Sequence, residues 1–386
     1  MTARRPIPNA VPHLAGNEWR YVKECLDTNW VSSVGPFVER FEREVAALVG
    51  VPHAVATVNG SAALHVALLA AGVQRDDEVL VPAFTFVSTA HAVAYCGAHP
   101  VFVDAEERSW GVDADKLAEF LAGECLVKDG RVVNRASGRI VRALLPVHLY
   151  GHPCDLDPLL EVARRHPLVV VEDAAEALGA SYRGRPVGCD GLAGCLSFNG
   201  NKIITTGGGG MVLTRDPDIA ARVRRLTTQA RGSALEFEHE EIGYNYRMTN
   251  VAAALGCAQL EQLPAFVDHK RETADAYRRA LASVPGVSVF TEAPWARSTY
   301  WMTSILLDAR ACPDVRALVR DLNADGIGAR PLWRPLHRQP AFRGAQTYRV
   351  EVAERLYARG VSLPCSVGIT MEERAAVVEA LRTRLA

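Results

Sequence analysis

LVVVEDAAEALGA, Leu168–Ala180, is the stretch on which the fold turns. Its first four residues are apolar at every step, the pattern of a strand covered on both faces in a parallel sheet. The run ends in Glu172 and Asp173. In open parallel sheets, ligands sit in the crevice beyond the carboxyl ends of the strands. A carboxylate placed there is either a helix N-cap or a ligand contact. Asp173 precedes a short Ala-rich run that reads as helix, so the capping role stays open. The functional alternative is a charge partner that keeps a heterocyclic ring nitrogen protonated and electron-withdrawing.

Outward from this strand, similar short runs recur at His53–Val58, Glu78–Val81, Pro100–Asp104 and Val141–Val147. Most are followed by helical patterns, such as Ser61–Ala71, Asp113–Leu121 and Asp155–Arg165. Pro36 opens a further helix with Phe37, Phe41, Val45 and Leu48 on one face and Gly50 as its stop. The alternation predicts an α/β fold with a mostly parallel sheet. After helical patterns near Asn250–Gln262 and Ala265–Leu281 the rhythm changes. Tyr300–Leu307 reads as a strand, Pro313–Ala324 as a helix and Thr370–Leu385 as a closing helix. A boundary is expected near residue 260, with a large α/β domain over 1–260 and a smaller α+β domain over 261–386.

The chain has 386 residues, 49% of them apolar, and a net charge of −1, which suits a soluble globular protein with a large core. It carries no field that would recruit nucleic acid or a membrane surface. No apolar run has the length of a membrane span, and the opening MTARRPIPNA lacks the apolar stretch of a secretory leader. The nine cysteines include no C-x-x-C pair, so a reduced cytoplasmic protein is expected. His148, His152 and Cys154 are donor types for zinc, but Gly151 and Pro153 disfavour the helix that would align the histidines. No metal is expected.

SFNGNKIITTGGGG, Ser197–Gly210, sets Lys202 before four consecutive glycines. It is not a phosphate loop, because Gly200 is followed by Asn201 and Lys202 by Ile203. It is not a dinucleotide fingerprint either, because Val212 takes the last glycine position after Gly207 and Gly209. Alone, Lys202 reads as a surface lysine. In Thr57–Gly72, however, Asn59, Gly60 and Ser61 stand between a strand and a helix, where free N–H groups form an anion site, or Ser61 is a plain cap. In Pro82–Ala92, Phe84 and Phe86 flank a threonine at a helix start, where a ring can stack on a flat heterocycle or join the core. A lysine, an acid, a phosphate turn and a ring together describe the needs of a pyridine cofactor.

These segments resemble the DegT/DnrJ/EryC1/StrS sugar aminotransferases, fold-type I pyridoxal-phosphate enzymes. The likeness runs from VPHLAGNEWRYVKECLDTNWVSSVGPFVERFE through VNGSAALHVAL, VPAFTFVSTAHAV, PVHLYGHPCDLD and VEDAAEALGASYRGRPVGCDGLAGCLSFNGNKIITTGGGGM to EIGYNYRMTN and PLHRQPAF. It implies an aspartate aminotransferase-like fold and pyridoxal 5'-phosphate, with pyridoxamine 5'-phosphate as the alternate form. By position, Lys202 matches the lysine that holds the cofactor as a Schiff base and Asp173 the acid at its ring nitrogen. Gly60, Ser61 and Ser197 match phosphate contacts, Phe86 the stacking ring, and Glu176 a variable position near the ring. Asn199 stands where some members have histidine. Asn245 matches an asparagine that reaches the partner subunit's cofactor phosphate, which implies a homodimer with active sites shared across the interface. Trp30, Ser33, Gly35 and His337 match regions lining the sugar-nucleotide pocket.

The resemblance is closest to the branch that aminates C4 of nucleotide-linked 4-keto-6-deoxy sugars from L-glutamate by a ping-pong mechanism. Within it, ECLDTNWVSSVG and NGNKIITTGGGG are similar to blocks of legionaminic-acid-type enzymes. C3 amination within the same family is the alternative. Related dehydratases carry histidine at the lysine position, which Lys202 excludes, and a sensor that had lost catalysis would be expected to lose Lys202 or Asp173 first. Arg231, Arg247, Arg330 and Arg334 are candidates for the substrate diphosphate or the donor carboxylates.

Overall fold

The computed structural model describes residues 6–232, 236 and 238–385; the two arginines of the opening lie outside these. A ten-stranded sheet runs through the larger part of the chain. Its central order is His53–Thr57, Gly210–Thr214, Ala193–Ser197, Val169–Asp173, Ile140–Leu144, Glu78–Pro82 and His99–Val103. Neighbours in this order are parallel from Ala193–Ser197 onward. Gly210–Thr214 alone among them runs antiparallel, to both of its neighbours. Val169–Asp173 lies in the middle, as its unbroken apolar run predicts. Helix Gly60–Ala70 is buried on nearly every side, matching an almost wholly apolar sequence.

Three local expectations are corrected. Ala174 to Gly179 forms turns rather than a helix, so Asp173 caps none. The chain is held there by bonds to neighbouring strand ends, with Ala174 N–H on the Cys195 carbonyl and Gly179 at φ +90°. The helix after Phe86 begins only at Ser88. The strand expected from Tyr300 begins at Thr303, because Tyr300 takes φ +49° and the preceding Thr299 N–H bonds the Gly151 carbonyl. A hairpin of Cys125–Lys128 and Arg131–Asn134 was not foreseen.

A second sheet, antiparallel throughout, orders Val287–Val289, Thr303–Leu307, Gly360–Leu363 and Arg330–Pro331. It carries its own apolar cluster, which includes Ile305, Leu322, Val361 and Val377. Helix Leu263–Leu281 joins the two cores: Leu263, Phe266 and Val267 lie in the first, Tyr277 and Leu281 in the second. Ile7 also packs in the second core and bridges to Ile327. Among the described residues, no helix is long and apolar enough to cross a membrane.

Candidate active site

The ends of the central strands deliver four separate stretches to one cavity of about 240 Å³. Gly60, Ser61, Phe86, Asp173, Glu176, Ser197, Asn199 and Lys202 all line it. A more open cleft of about 480 Å³ adjoins it, sharing Phe86, Asn199 and Lys202 and adding Tyr150, Trp301, Arg330 and Trp333. Lys202 therefore stands where the two spaces meet.

At one end of the small cavity, Asn59 caps helix Gly60–Ala70, its Oδ1 accepting the Ala62 N–H at 2.7 Å. The cap is thus not Ser61, and the N–H groups of Gly60 and Ser61 are left at the positive helix end, where an anion binds. A Cβ on residue 60 would lie 2.8 Å from the Ser197 Cβ, so only glycine permits this close approach. The result is a cradle of N–H groups that suits a phosphate.

At the other end lies Asp173, 4% exposed. Strand alternation sends Glu172 and Asp173 to opposite faces. Glu172 turns away and is consumed by the N–H groups of Gly188, Asp190 and Gly191 and by His148 Nε2. Asp173 faces the cavity, accepting from the Thr89 hydroxyl at 2.8 Å and the Ala175 N–H at 3.1 Å. Burial still pushes its carboxyl above the ordinary range against these bonds and the pull of Lys202. A carboxylate held in that condition favours a cationic N–H opposite it. A phosphate cradle, a buried acid and a lysine across one small cavity fit pyridoxal phosphate.

Lys202 Nζ lies 3.5 Å from Glu176 Oε1 and 4.0 Å from the centroid of the Trp301 ring. Glu176 Oε2 accepts the Tyr150 N–H at 2.7 Å, which Tyr150 supplies from φ +54°, a left-handed conformation of the kind that gathers at functional sites. Burial lifts the Glu176 carboxyl to about 7, with Lys202 opposing. Between the unfolded value of 4.5 and about 7 the folded chain holds the extra proton, so this contribution to stability is lost as pH rises through that window. Glu176→Gln is therefore expected to gain stability relative to the unchanged protein between pH 5 and pH 8, by at most about 3 kcal/mol. Denaturant unfolding of the cofactor-stripped proteins at both pH values measures this, and an equal difference at the two would contradict it.

The other sequence candidates fall elsewhere in a single chain. Trp30, Ser33 and Gly35 line neither space; the Trp30 carbonyl accepts from Asn250 Nδ2, and Gly35 lies against the Asn250 side chain. His337 also lines neither and bonds Glu354 at 2.8 Å. Asn245 is exposed, between Tyr244 and Tyr246, whose rings pack on buried His65. Of the candidate arginines, Arg247 is engaged by Glu42 at 2.9 Å, while Arg330 lines the open cleft. His148 and His152 do not converge on a metal: His152 Nδ1 donates to the Pro153 carbonyl and its Nε2 accepts from the Ala293 N–H. No metal-binding group occurs among the described residues. Sequence reasoning missed Thr89, Tyr150, Trp301 and Trp333. A threonine pair four apart, Thr85 before the helix and Thr89 in its first turn, was the one local signal available.

A mostly parallel sheet with a lysine, an acid and an anion cradle at its strand ends defines the class of fold-type I pyridoxal-phosphate aminotransferases. The profile of the DegT/DnrJ/EryC1/StrS aminotransferase family matches residues 12–382, and the chain belongs to this family. It is 41% identical to a GDP-perosamine synthase of Caulobacter vibrioides, over 97% of each chain. It is 35% identical to a UDP-N-acetyl-3-dehydro-alpha-D-glucosamine 3-aminotransferase of Acidithiobacillus ferrooxidans, over 89% of this chain and 87% of that one. The crystal structure of DesI in the presence of its TDP-sugar product superposes with a TM-score of 0.88 at 32% identity, over 98% of this chain and 93% of the other. The protein is a pyridoxal-phosphate-dependent sugar aminotransferase.

Proposed function

We propose that this chain transfers an amino group from L-glutamate to C4 of a nucleotide-linked 4-keto-6-deoxy sugar, in two half-reactions at Lys202. The observation that carries the reading is the position of Lys202 at the junction of a small cavity, which ends at the start of helix Gly60–Ala70, and a larger cleft. The first suits the cofactor and the second a sugar. Pyridoxal phosphate, when bound, supplies a carbonyl that condenses with amines and a pyridinium that draws electrons from the neighbouring carbon.

The chain's residues do the rest. Gly60, Ser61 and Ser197 hold the phosphate, and Phe86, half exposed at the boundary of the two spaces, stacks on the ring. Asp173 keeps the ring nitrogen protonated. Lys202 Nζ would take a proton from the donor carbon and return it to the carbon of the cofactor's carbonyl, as general base and then acid. Glu176, beside Nζ and titrating near neutrality, holds or releases a proton at the same place. Asn199 borders both spaces.

Assembly as a homodimer is part of the proposal. Asn245 and the exposed Trp30 lie outside their own chain's cavity, and a partner subunit would receive them in its site. The division into a cofactor-binding unit over 1–260 and a smaller C-terminal unit over 261–386 is likewise part of the proposal, supported by the second apolar core, although the first core also takes in Phe290, Trp301 and Phe342. All nine cysteines are free, in keeping with a cytoplasmic site of action.

The perosamine synthase relative favours a GDP-linked keto-sugar as the first substrate to try. The 3-aminotransferase relative supports C3 amination as the second reading. The purified protein should turn over one of the GDP-, UDP- or dTDP-linked 4-keto-6-deoxy sugars with glutamate, and NMR of the product should place the new amine on C4. Turnover of a nucleotide-linked 3-keto sugar instead, with the new amine on C3, would establish the second reading. An absorption spectrum unmoved by glutamate, together with no turnover, would rule out both.

A further inference from the structure

Trp301 touches Lys202 in two ways. Its ring face lies 4.0 Å from Nζ, and its Nε1–H donates to the carbonyl of Asn201, the residue before Lys202, at 2.7 Å. The indole therefore holds both the ammonium and the backbone that carries it. Trp301 is itself fixed, being 2% exposed. Its carbonyl accepts at 2.9 Å from Lys270, a lysine only 3% exposed whose buried ammonium also meets Cys365 Sγ. Such a cation is costly to bury and is used here to fix the backbone of one residue. Tyr150 and Trp333, each 6.3 Å from Trp301 between ring centroids, complete the wall.

We propose that Trp301 is a positioning residue for Lys202: its face and its N–H hold the amine at the junction of the two spaces whenever Lys202 is not bonded to the cofactor. The charged and titratable groups facing Nζ in that position are Glu176, Asp173 and Tyr150, with Arg330 across the open cleft. Glu176 supplies charge from one side and Trp301 an apolar, electron-rich face from the other. Such a clamp limits the amine to positions from which it reaches the cofactor carbonyl. This rests on reading Lys202 as the cofactor lysine.

The test uses two ligands that differ in their need for the lysine. Pyridoxal phosphate bonds to it, whereas pyridoxamine phosphate occupies the same cavity without doing so. Trp301→Leu removes face and donor, and Trp301→Phe keeps a weaker face without the donor. With cofactor-stripped protein, the rate of pyridoxal phosphate attachment, followed by absorbance, should fall about 30-fold in Trp301→Leu and roughly threefold in Trp301→Phe. Pyridoxamine phosphate affinity should stay within about twofold in Trp301→Phe, the variant that keeps the core filled. Attachment at the unchanged rate in both variants would overturn the proposal. So would a parallel loss of pyridoxamine phosphate affinity in Trp301→Phe, since the indole would then only be shaping the cavity. If the unchanged protein bound neither compound, the reading of Lys202 itself would fail, a result distinct from the other two.

Discussion

Lys202→Ala is expected to abolish amino transfer, by on the order of 10⁴-fold, and to remove the long-wavelength absorption of covalently held pyridoxal phosphate. The size follows from the two tasks that converge on one atom. Lys202 Nζ is at once the attachment point and the group that moves the proton, and no other lysine lines either space. No neighbour can take over both tasks: Glu176 can hold a proton but offers no amine for attachment, and Arg330 does not give up its proton. The fold should survive, because the side chain makes only a 3.5 Å ion pair and one ring contact. Pyridoxamine phosphate should still bind, through Gly60, Ser61, Ser197 and Asp173. Transfer at the unchanged rate by Lys202→Ala, with no amine added, would sink the assignment of Lys202.

How much of this was legible in the sequence depends on distance along the chain. The central strand was legible because burial on both faces removes alternation, leaving four apolar residues in a row at Leu168–Val171. The hairpin at Cys125–Lys128 and Arg131–Asn134 was legible too, through Asp129–Gly130 with both residues at positive φ, yet went unread. The strand Gly210–Thr214 hid behind a glycine run that looks like loop, although its antiparallel course brings Gly210 beside both Thr57 and Ser197. The acids could be placed at a strand end but not sorted. Only the contacts of Glu172 with the turn near Gly188 reveal that one is structural and the other faces the cavity. Trp301 and Trp333 were beyond reach, since they lie about a hundred residues or more from Lys202 in sequence and meet it only because both pack with the first core. Trp30, Gly35 and Asn245 carry a different lesson. A likeness assigns them to the site, and in the single chain they line neither of its two spaces.

Asp173→Asn is expected to lose roughly 10- to 1000-fold in turnover while the folded protein holds its stability or gains some. The loss follows from what the carboxylate does opposite a cationic ring nitrogen. An opposite charge within contact distance shifts such a group by about 1–3 pKa units, and removing it lowers the protonated fraction accordingly. Stability shifts in the opposite direction. Asp173 is 4% exposed and burial disfavours its charge, so a neutral amide of the same shape relieves a penalty. In an asparagine, Oδ1 can still accept the Ala175 N–H, and the amide nitrogen at the other position can donate to the Thr89 hydroxyl, which accepts as well as donates. Had Asp173 been a helix cap, the change would cost about 1 kcal/mol of stability and leave turnover nearly intact. The turns at Ala174 to Gly179 provide no helix to cap. Thermal melting of cofactor-stripped protein and steady-state turnover, measured side by side, separate the two roles. Lower stability with full turnover would return Asp173 to the scaffold. Full stability with slow turnover, and an absorption band shifted toward the unprotonated ring, would place its charge at the reacting centre.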